Sequence, residues 1–336
     1  MSTLQQFGND TSTAEIVDYT VSNWQTRTSA ADNTWYAIAW NGTIFAAVGA
    51  DGVGNNVMTS PDGITWTSRT SAADNAWDAI AWNGTVFAAV AWSGVGNRVM
   101  TSPDGITWTI RTSAANNQWL AIAWNGTVFA AVSNNGVGNR VMTSPNGITW
   151  TSRTSAANNS WYGIAWNGTI FAAVGADGVG NNVMTSPDGI TWTSRTSAAD
   201  NSWQAIAWNG TVFAAVANSG SGVNKVMTSP DGITWTLRAA AADSQWYALA
   251  WNGTVFVALA QSGTGNRVMT SPDGITWTIR TSAANLVWNA IAWNGLGTGT
   301  TLLLPAAGTG TVFAAVAGSG TGNRVMTNLF YKRDAT

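Results

Sequence analysis

The sequence predicts an all-β protein, a single seven-bladed β-propeller with four-stranded blades. Two observations predict this fold: a repeat of 42 residues, with one step of 43, and β-type patterning inside each repeat. A period of about 40 to 50 residues with several short strands is typical of a propeller blade. The phrase GITWTSRT, or a variant of it, places its tryptophan at Trp24, Trp66, Trp108, Trp150, Trp192, Trp235 and Trp277.

Each repeat contains four strands, which we call A to D in chain order. In the first full repeat, strand A is WYAIAW (35–40), and Asn41-Gly42 predicts a type I′ turn into strand B, TIFAAV. A glycine-rich loop leads to strand C, VMTS, and a Pro-Asp-Gly turn leads to strand D. The strands are almost continuously apolar, which is typical of strands buried on both faces. We expect the small residues Ala37 and Ala39 near the ring axis, and tryptophans further out.

The order of the strands predicts how the ring closes. The first D strand precedes the first A strand, whereas the last C strand, at 323–327, has no D strand after it. We therefore expect residues near 20–28 to pair with residues near 323–332, which leaves no open sheet edge. The predicted propeller domain is 20–332, preceded by an N-terminal tail, 1–19. Blade seven carries an insertion, 296–310.

The composition excludes several kinds of function. Charged residues make up 9% of the 336 residues and the net charge is −2, so we expect no nucleic-acid partner. The chain has no cysteine and no histidine, which removes disulfides and His-based catalysis. We expect no cofactor, no metal site and no membrane span. The N-terminus lacks the pattern of a Sec-type signal, so export would need another route and the localisation stays open.

The turn between strands C and D carries a resemblance to a known family. Ser60, Asp62, Gly63, Thr65 and Trp66 resemble the Asp-box hairpin of sialidase-type propellers, although one residue between Asp and Gly is absent. The resemblance implies the propeller fold and places the box between the third and fourth strands. It implies a structural aspartate that binds backbone N–H groups of its own turn. In the third copy Asn146 replaces the aspartate.

The sequence does not predict an enzyme. A sialidase would need an arginine triad, a tyrosine with a glutamate beside it, and an acid/base aspartate, yet Glu15 is the one glutamate. The strand D arginines recur once per blade, so symmetry does not bring three of them to one point. We expect them to bond the following loop, as in Arg69 with Asp74. Glycoside hydrolysis needs a pair of carboxylates at a set separation, and no unique pair stands out.

Ligand binding is expected on the face that carries the long loops, where the repeats differ most. The residue after each strand A tryptophan varies, from Tyr36 to Asp78 to Leu120 and onward. We predict pockets between blades, each with a tryptophan platform and amide or guanidinium donors, a combination that suits sugars. Neutral drift of the loops is the alternative. The predicted binding residues are Trp35, Trp77, Trp119, Trp161, Trp203, Trp246, Trp288, Trp92, Asn97, Arg98, Arg140, Arg267 and Arg324.

The leading hypothesis is a non-catalytic, multivalent binding module that acts as a lectin or adhesin on a glycan or a glycosylated surface. A building block of a virion appendage or surface assembly is the first alternative. For that role the insertion offers Leu302, Leu303 and Leu304 as an apolar interface for self-assembly. An engineered, near-symmetric repeat propeller is the second alternative, since 49–75 and 175–201 are identical.

Overall fold

The computed structural model describes residues 16–17, 24–295, 310–330 and 332–333. For 16–17, 310–312, 329–330 and 332–333 it describes the backbone alone. The predicted interface residues Leu302, Leu303 and Leu304 lie outside the described residues, as does the insertion up to residue 309. The self-assembly hypothesis therefore stays a prediction.

Seven four-stranded antiparallel sheets form the blades, each in the order A-B-C-D, as predicted. The A strands are Thr34–Trp40, Trp77–Trp82, Trp119–Trp124, Ser160–Trp166, Trp203–Trp208, Trp246–Trp251 and Trp288–Trp293. The B strands are Phe45–Ala50, Phe87–Ala91, Phe129–Ser133, Phe171–Ala176, Phe213–Ala217, Phe256–Ala260 and Gly310–Ala317. The C strands are Val57–Ser60, Val99–Ser102, Val141–Ser144, Val183–Ser186, Val226–Ser229, Val268–Ser271 and Val325–Phe330. The D strands of blades one to six are Thr67–Arg69, Thr109–Arg111, Thr151–Arg153, Thr193–Arg195, Thr236–Arg238 and Thr278–Arg280.

The D strand of blade seven comes from the N-terminal part of the chain. Trp24–Arg27 pairs antiparallel with the last C strand, with Trp24 opposite Asn328 and Arg27 opposite Val325. This confirms the predicted ring closure, which gives the last C strand a partner on its outer side. A second, two-residue ladder joins Ile16–Val17 to Lys332–Arg333. It begins within the predicted tail, so part of that tail is paired with the C-terminal region.

The core lies between the blades. Every residue of strands B and C in blade one is buried, which explains their almost continuous apolar sequence. One cluster joins Ala46 and Val48 of blade one to Trp77 and Phe87 of blade two. Each blade therefore buries its face against its neighbour, and no blade has a core of its own.

Aromatic side chains pack against one another within each blade. The ring of Phe45 lies 4.6 Å from that of Trp40 and 6.3 Å from that of Trp66, measured between ring centroids. The same arrangement recurs in blades two to six. Phe45 therefore links a strand A tryptophan to the tryptophan that precedes strand D.

The C–D turn is held by its own side chains, as the structural reading of the aspartate predicts. Oδ1 of Asp62 accepts hydrogen bonds from the backbone N–H groups of Ile64 and Thr65, at 2.8 and 3.0 Å. Burial opposes ionisation, but these hydrogen bonds outweigh it and hold the pKa of Asp62 below its ordinary value. The Nε1 atom of Trp66 donates to the carbonyl of Gly63 at 2.9 Å. The turn thereby anchors a core tryptophan.

The A–B turn differs from the predicted type I′ geometry. Its two central residues are Gly42 and Thr43, because the backbone N–H of Asn41 donates to the carbonyl of Ile44. Only Gly42 of these has a positive φ, 102°. Oδ1 of Asn41 accepts from the backbone N–H groups of Thr43 and Ile44, so the asparagine caps the turn from outside.

The strand D arginines do not bond the following loop as predicted. Nε of Arg69 donates to Oγ1 of Thr59 on strand C, at 2.8 Å, and the other blades repeat this bond. Asp74 instead accepts from the backbone N–H of Gly54 in the B–C loop. The arginines therefore link strands C and D within a blade.

Candidate functional site

The two sets of long loops share one face of the ring. The backbone N–H of Ser71, in a D–A loop, donates to the carbonyl of Gly54, in the B–C loop of the same blade, at 2.9 Å. The buried amide of Asn75 donates to the carbonyl of Asn97 at 2.8 Å, which links a D–A loop to the B–C loop of the next blade. The predicted division into a long-loop face and a short-turn face agrees with these bonds.

A cavity of about 330 Å³ lies where the seven A strands meet at the ring axis. All seven blades contribute to its wall. Strand A supplies Tyr36, Asp78, Leu120, Tyr162, Gln204, Tyr247 and Asn289. The long-loop face supplies Trp92, Gln118, Asn134 and Gln261. The cavity volume is at the lower end of the range for small-molecule sites, about 300 to 1,000 Å³.

A β-bulge aims each of the seven strand A residues at the axis. In blade one, Trp35 pairs with Gly49 and Ala37 pairs with Val48, so Tyr36 is the extra residue between two ladder positions. The same register shift occurs in the other six blades. A bulge re-aims a side chain without disturbing the rest of its strand. The repeat therefore has one position per blade that can vary freely and that points into the cavity.

The wall is asymmetric although the scaffold is repeated. The tryptophan before each bulge is the same in all seven blades, whereas the bulge residue is Tyr, Asp, Leu, Gln or Asn. The variation is visible in the sequence, from which we predicted binding at the preceding tryptophan instead. The missing signal was the register: a bulge moves the variable residue, and not the tryptophan, to the axis.

The seven tryptophans predicted as ligand platforms are fully buried, which corrects that prediction. Trp35, Trp77, Trp119, Trp161, Trp203, Trp246 and Trp288 each have a relative exposure of 0%. Their Nε1 atoms donate to a backbone carbonyl of the preceding D–A loop, as Trp35 does to Ala31 at 3.2 Å. A side chain without exposed surface cannot stack on a ligand, so these residues belong to the inter-blade core.

The predicted donors of the B–C loops are engaged within those loops, which corrects a second prediction. Nε of Arg98 donates to the carbonyl of Gly94 at 2.7 Å, and Nη1 donates to the carbonyl of Trp92 at 2.9 Å. Arg140, Arg267 and Arg324 make corresponding bonds. Asn97 accepts from Asn75 through its carbonyl and Oδ1. These side chains shape the loops, and none of them lines the cavity.

Trp92 is the predicted binding residue that the cavity includes. Its exposed fraction is 38%, and Arg98 fixes its backbone carbonyl. At the equivalent positions blades one and four have Ala50 and Ala176, so the tryptophan is an addition to the repeat. An exposed indole at the wall of a cavity provides a large apolar contact surface for a ligand.

Asp78 determines the electrostatics of the cavity. It is the one formally charged side chain among the described lining residues, and it is half-buried. Burial raises its pKa to about 7. Burial, followed by the charge of Asp78 and the phenols of Tyr162 and Tyr36, raises the pKa of Tyr247 to about 12. Burial and the charges of Asp78 and Asp51 also raise the pKa of Tyr36.

Three amides of the wall, on Gln261, Asn289 and Gln204, are held in fixed orientations. Nε2 of Gln261 donates to Oδ1 of Asn289 at 2.9 Å, and Nδ2 of Asn289 donates to the carbonyl of Trp35 at 2.8 Å. Nε2 of Gln204 donates to Oγ of Ser202 at 2.7 Å. Such bonds preorganise a binding site, because the side chains are ordered before a ligand arrives.

The described residues contain no cluster of three or more His, Asp or Glu side chains able to hold a metal ion. No helix within the described ranges is long and apolar enough to cross a membrane. The described cavity wall offers one carboxylate, four aromatic side chains and several amides. This set of groups can bind a small polar molecule, and it lacks the second carboxylate that glycoside hydrolysis needs.

The fold and this axial cavity describe a seven-bladed propeller with an asymmetric cavity at its axis. The sequence matches no protein-family model and no curated protein. Solved structures do resemble it. YCF48 bound to D1 peptide has a TM-score of 0.64 at 15% identity, over 94% of this chain and 96% of that one. Virginiamycin B lyase from Staphylococcus aureus has a TM-score of 0.71 at 10% identity, over 92% and 99%.

A third similar structure is the β-propeller domain of Cps50 (Swd1) from Myceliophteria thermophila. Its TM-score is 0.59 at 11% identity, over 93% of this chain and 100% of that one. At these identities the likeness shows the fold, which is typical of binding and scaffold modules, and not the ligand.

Proposed function

We propose that this protein is a non-catalytic binding module that takes one small polar ligand, a saccharide, in its central cavity. The observation that carries the proposal is the bulge in every strand A. Seven positions that the scaffold leaves free to vary converge on one cavity, and their side chains differ between otherwise near-identical blades. Loop drift alone gives no reason for variable residues to meet in one cavity.

The lining residues support a saccharide as the ligand class. Tyr36, Tyr162, Tyr247 and Trp92 offer aromatic faces for a pyranose ring. Amides that are fixed by hydrogen bonds offer partners for hydroxyl groups. The predicted ring of inter-blade pockets is thereby replaced by one axial site, so we expect one ligand per ring. Adhesion to a glycosylated surface would then need several copies of the protein.

The same lining supports a non-catalytic role. Asp78 is a single carboxylate, whereas hydrolysis of a glycoside uses two. The C–D turns make the backbone hydrogen bonds that the Asp-box resemblance implies, which supports our proposal that they belong to that structural class. Their aspartates bind their own turn and take no part in the cavity.

A glycan array tests the proposal with two matched variants. Trp92→Ala removes an aromatic wall residue and installs the residue that blades one and four already have. Val95→Ala changes a side chain that is 85% exposed in the same loop and does not line the cavity. We expect wild type and Val95→Ala to bind the same glycans and Trp92→Ala to bind them at least tenfold more weakly.

A blank array from folded protein would refute the saccharide proposal. In that case the alternative, a building block of a surface assembly that uses the 296–310 insertion, becomes the leading function. Deleting 296–310 and measuring the oligomeric state by light scattering would then decide it.

A further inference from the structure

The cavity wall contains a carboxylate without a hydrogen-bond donor. No described residue donates to Asp78, and burial alone accounts for its raised pKa. The charge of Asp78 acts on Tyr36 and Tyr247, which line the same cavity. Both are phenols and not cations, so neither of them neutralises the carboxylate. A half-buried carboxylate without a partner is costly for the fold unless it binds a proton or a cation.

A second acceptor in the same wall also lacks a donor. Oδ1 of Asn134 is buried and has no hydrogen-bond partner. Asn134 belongs to blade three and Asp78 to blade two, so the two acceptors come from neighbouring blades. The wall amides of Gln261, Asn289 and Gln204 donate to Asn289, Trp35 and Ser202 and to no atom of Asp78 or Asn134. Oδ1 of Asn134 has no accessible surface, so Asp78 is the acceptor without a donor that a ligand can reach.

The surroundings favour a cation at this place. Three tyrosines and Trp92 line the cavity, and the faces of aromatic rings attract cations. None of the described lining residues is a lysine or an arginine. The guanidinium groups of Arg98, Arg140 and Arg267 donate through Nη1 to the backbone carbonyls of Trp92, Asn134 and Gln261, and none of them donates to Asp78. An ammonium group has three donors and no acceptor, which complements such a wall.

We infer that the ligand of the central cavity is an amino sugar, bound through its protonated amine by Asp78, with the pyranose ring on the aromatic side chains. The inference rests on the proposed function, because it names the class of saccharide that this site takes. The inference gives a role to the acidic bulge residue of blade two, Asp78, at the position where blade seven has Asn289.

Isothermal titration of glucosamine and glucose tests the inference. The two probes share the ring and differ at one position, where glucosamine has an amine and glucose a hydroxyl. We expect wild type to bind glucosamine at least tenfold more tightly than glucose at pH 7. At pH 5.5 glucosamine should bind about tenfold more weakly, because the proton then competes for Asp78, whereas glucose should change little.

Two variants assign the effect to the wall. Asp78→Asn places in blade two the residue that blade seven has, and it should remove the preference for glucosamine. Asn134→Ala installs the residue of blades one and four and serves as the control: Oδ1 of Asn134 has no accessible surface, so the preference for glucosamine should remain. Circular dichroism and the thermal midpoint confirm that each variant is folded.

The outcomes separate the two proposals. Equal binding of glucosamine and glucose, or a preference that survives Asp78→Asn, would overturn the amino-sugar inference and leave a saccharide site. Failure of both probes, together with a blank glycan array, would overturn the proposed function as well. A glucosamine preference that Asp78→Asn abolishes supports both.

Discussion

Replacing Asp78 with asparagine should stabilise the protein, and by an amount that grows with pH. Burial raises the pKa of Asp78 to about 7 from the ordinary value of 3.8. The folded protein therefore holds this proton more tightly than the unfolded chain does. Stability relative to the asparagine variant is lost as the pH rises from about 4 to about 7, and it is constant above that range.

The size of the effect follows from the same pKa. A difference of about 3 pKa units at 1.36 kcal/mol each corresponds to about 4 kcal/mol at full ionisation. The advantage of Asp78→Asn should rise from about 1 kcal/mol at pH 4.5 to about 4 kcal/mol at pH 8.5. With an unfolding entropy of about 2.1 cal/mol/K per residue over about 300 residues, the gap in Tm grows from about 2 to about 7 °C.

Differential scanning calorimetry of the two proteins between pH 4.5 and 8.5 measures this gap. Asp74→Asn is the control, since it removes an exposed loop carboxylate at a position where the next repeat has Asn116. A Tm gap for Asp78→Asn that stays constant across the pH range would refute the reasoning. It would mean that Asp78 is solvated or partnered in the folded protein and that the cavity has no unpaired acceptor charge.

Three further outcomes follow from the same structure. Trp119→Ala should lower the free energy of unfolding by about 3 to 5 kcal/mol, because its side chain is fully buried. Trp92→Ala should lower it by less than about 1 kcal/mol. Equal losses in urea unfolding would contradict the burial argument. Asp104→Asn should leave Tm at pH 7 almost unchanged, because Asn146 makes the same turn bonds in blade three, whereas Asp104→Ala should lower it; equal losses would refute the capping role. Deleting residues 1–28 removes the closing strand, so it should lower Tm and cause aggregation through the exposed edge of Val325–Phe330. Deleting 1–15 should do neither. A soluble, equally stable protein without 1–28 would contradict the proposed role of the closing strand.

The sequence predicted the architecture because each level of the pattern points to the same fold. The repeat length predicts the blade, and the apolar strands predict burial between blades. The types of the first and last strands predict that the ring closes at Trp24–Arg27. These features are repeated seven times, so a local error in one copy does not change the prediction.

The site was less predictable, because it depends on one bulge. Tryptophan is common in binding sites and in cores, and the sequence alone does not separate these roles at Trp35. The bulge at Tyr36 moves the variable residue to the axis, whereas an unbulged strand would keep strict alternation between its two faces. The prediction for Arg98 was wrong because its guanidinium donates to a carbonyl of its own glycine-rich loop. No sequence motif predicts that hydrogen bond.

A crystal structure of the protein with a glycan selected on the array would show where the ligand binds. We expect ligand density in the axial cavity, with a sugar ring against Trp92 and a nitrogen within hydrogen-bond distance of Asp78. Density between two blades at the rim, or on the short-turn face, would contradict it and would show that the bulge residues converge without forming the binding site.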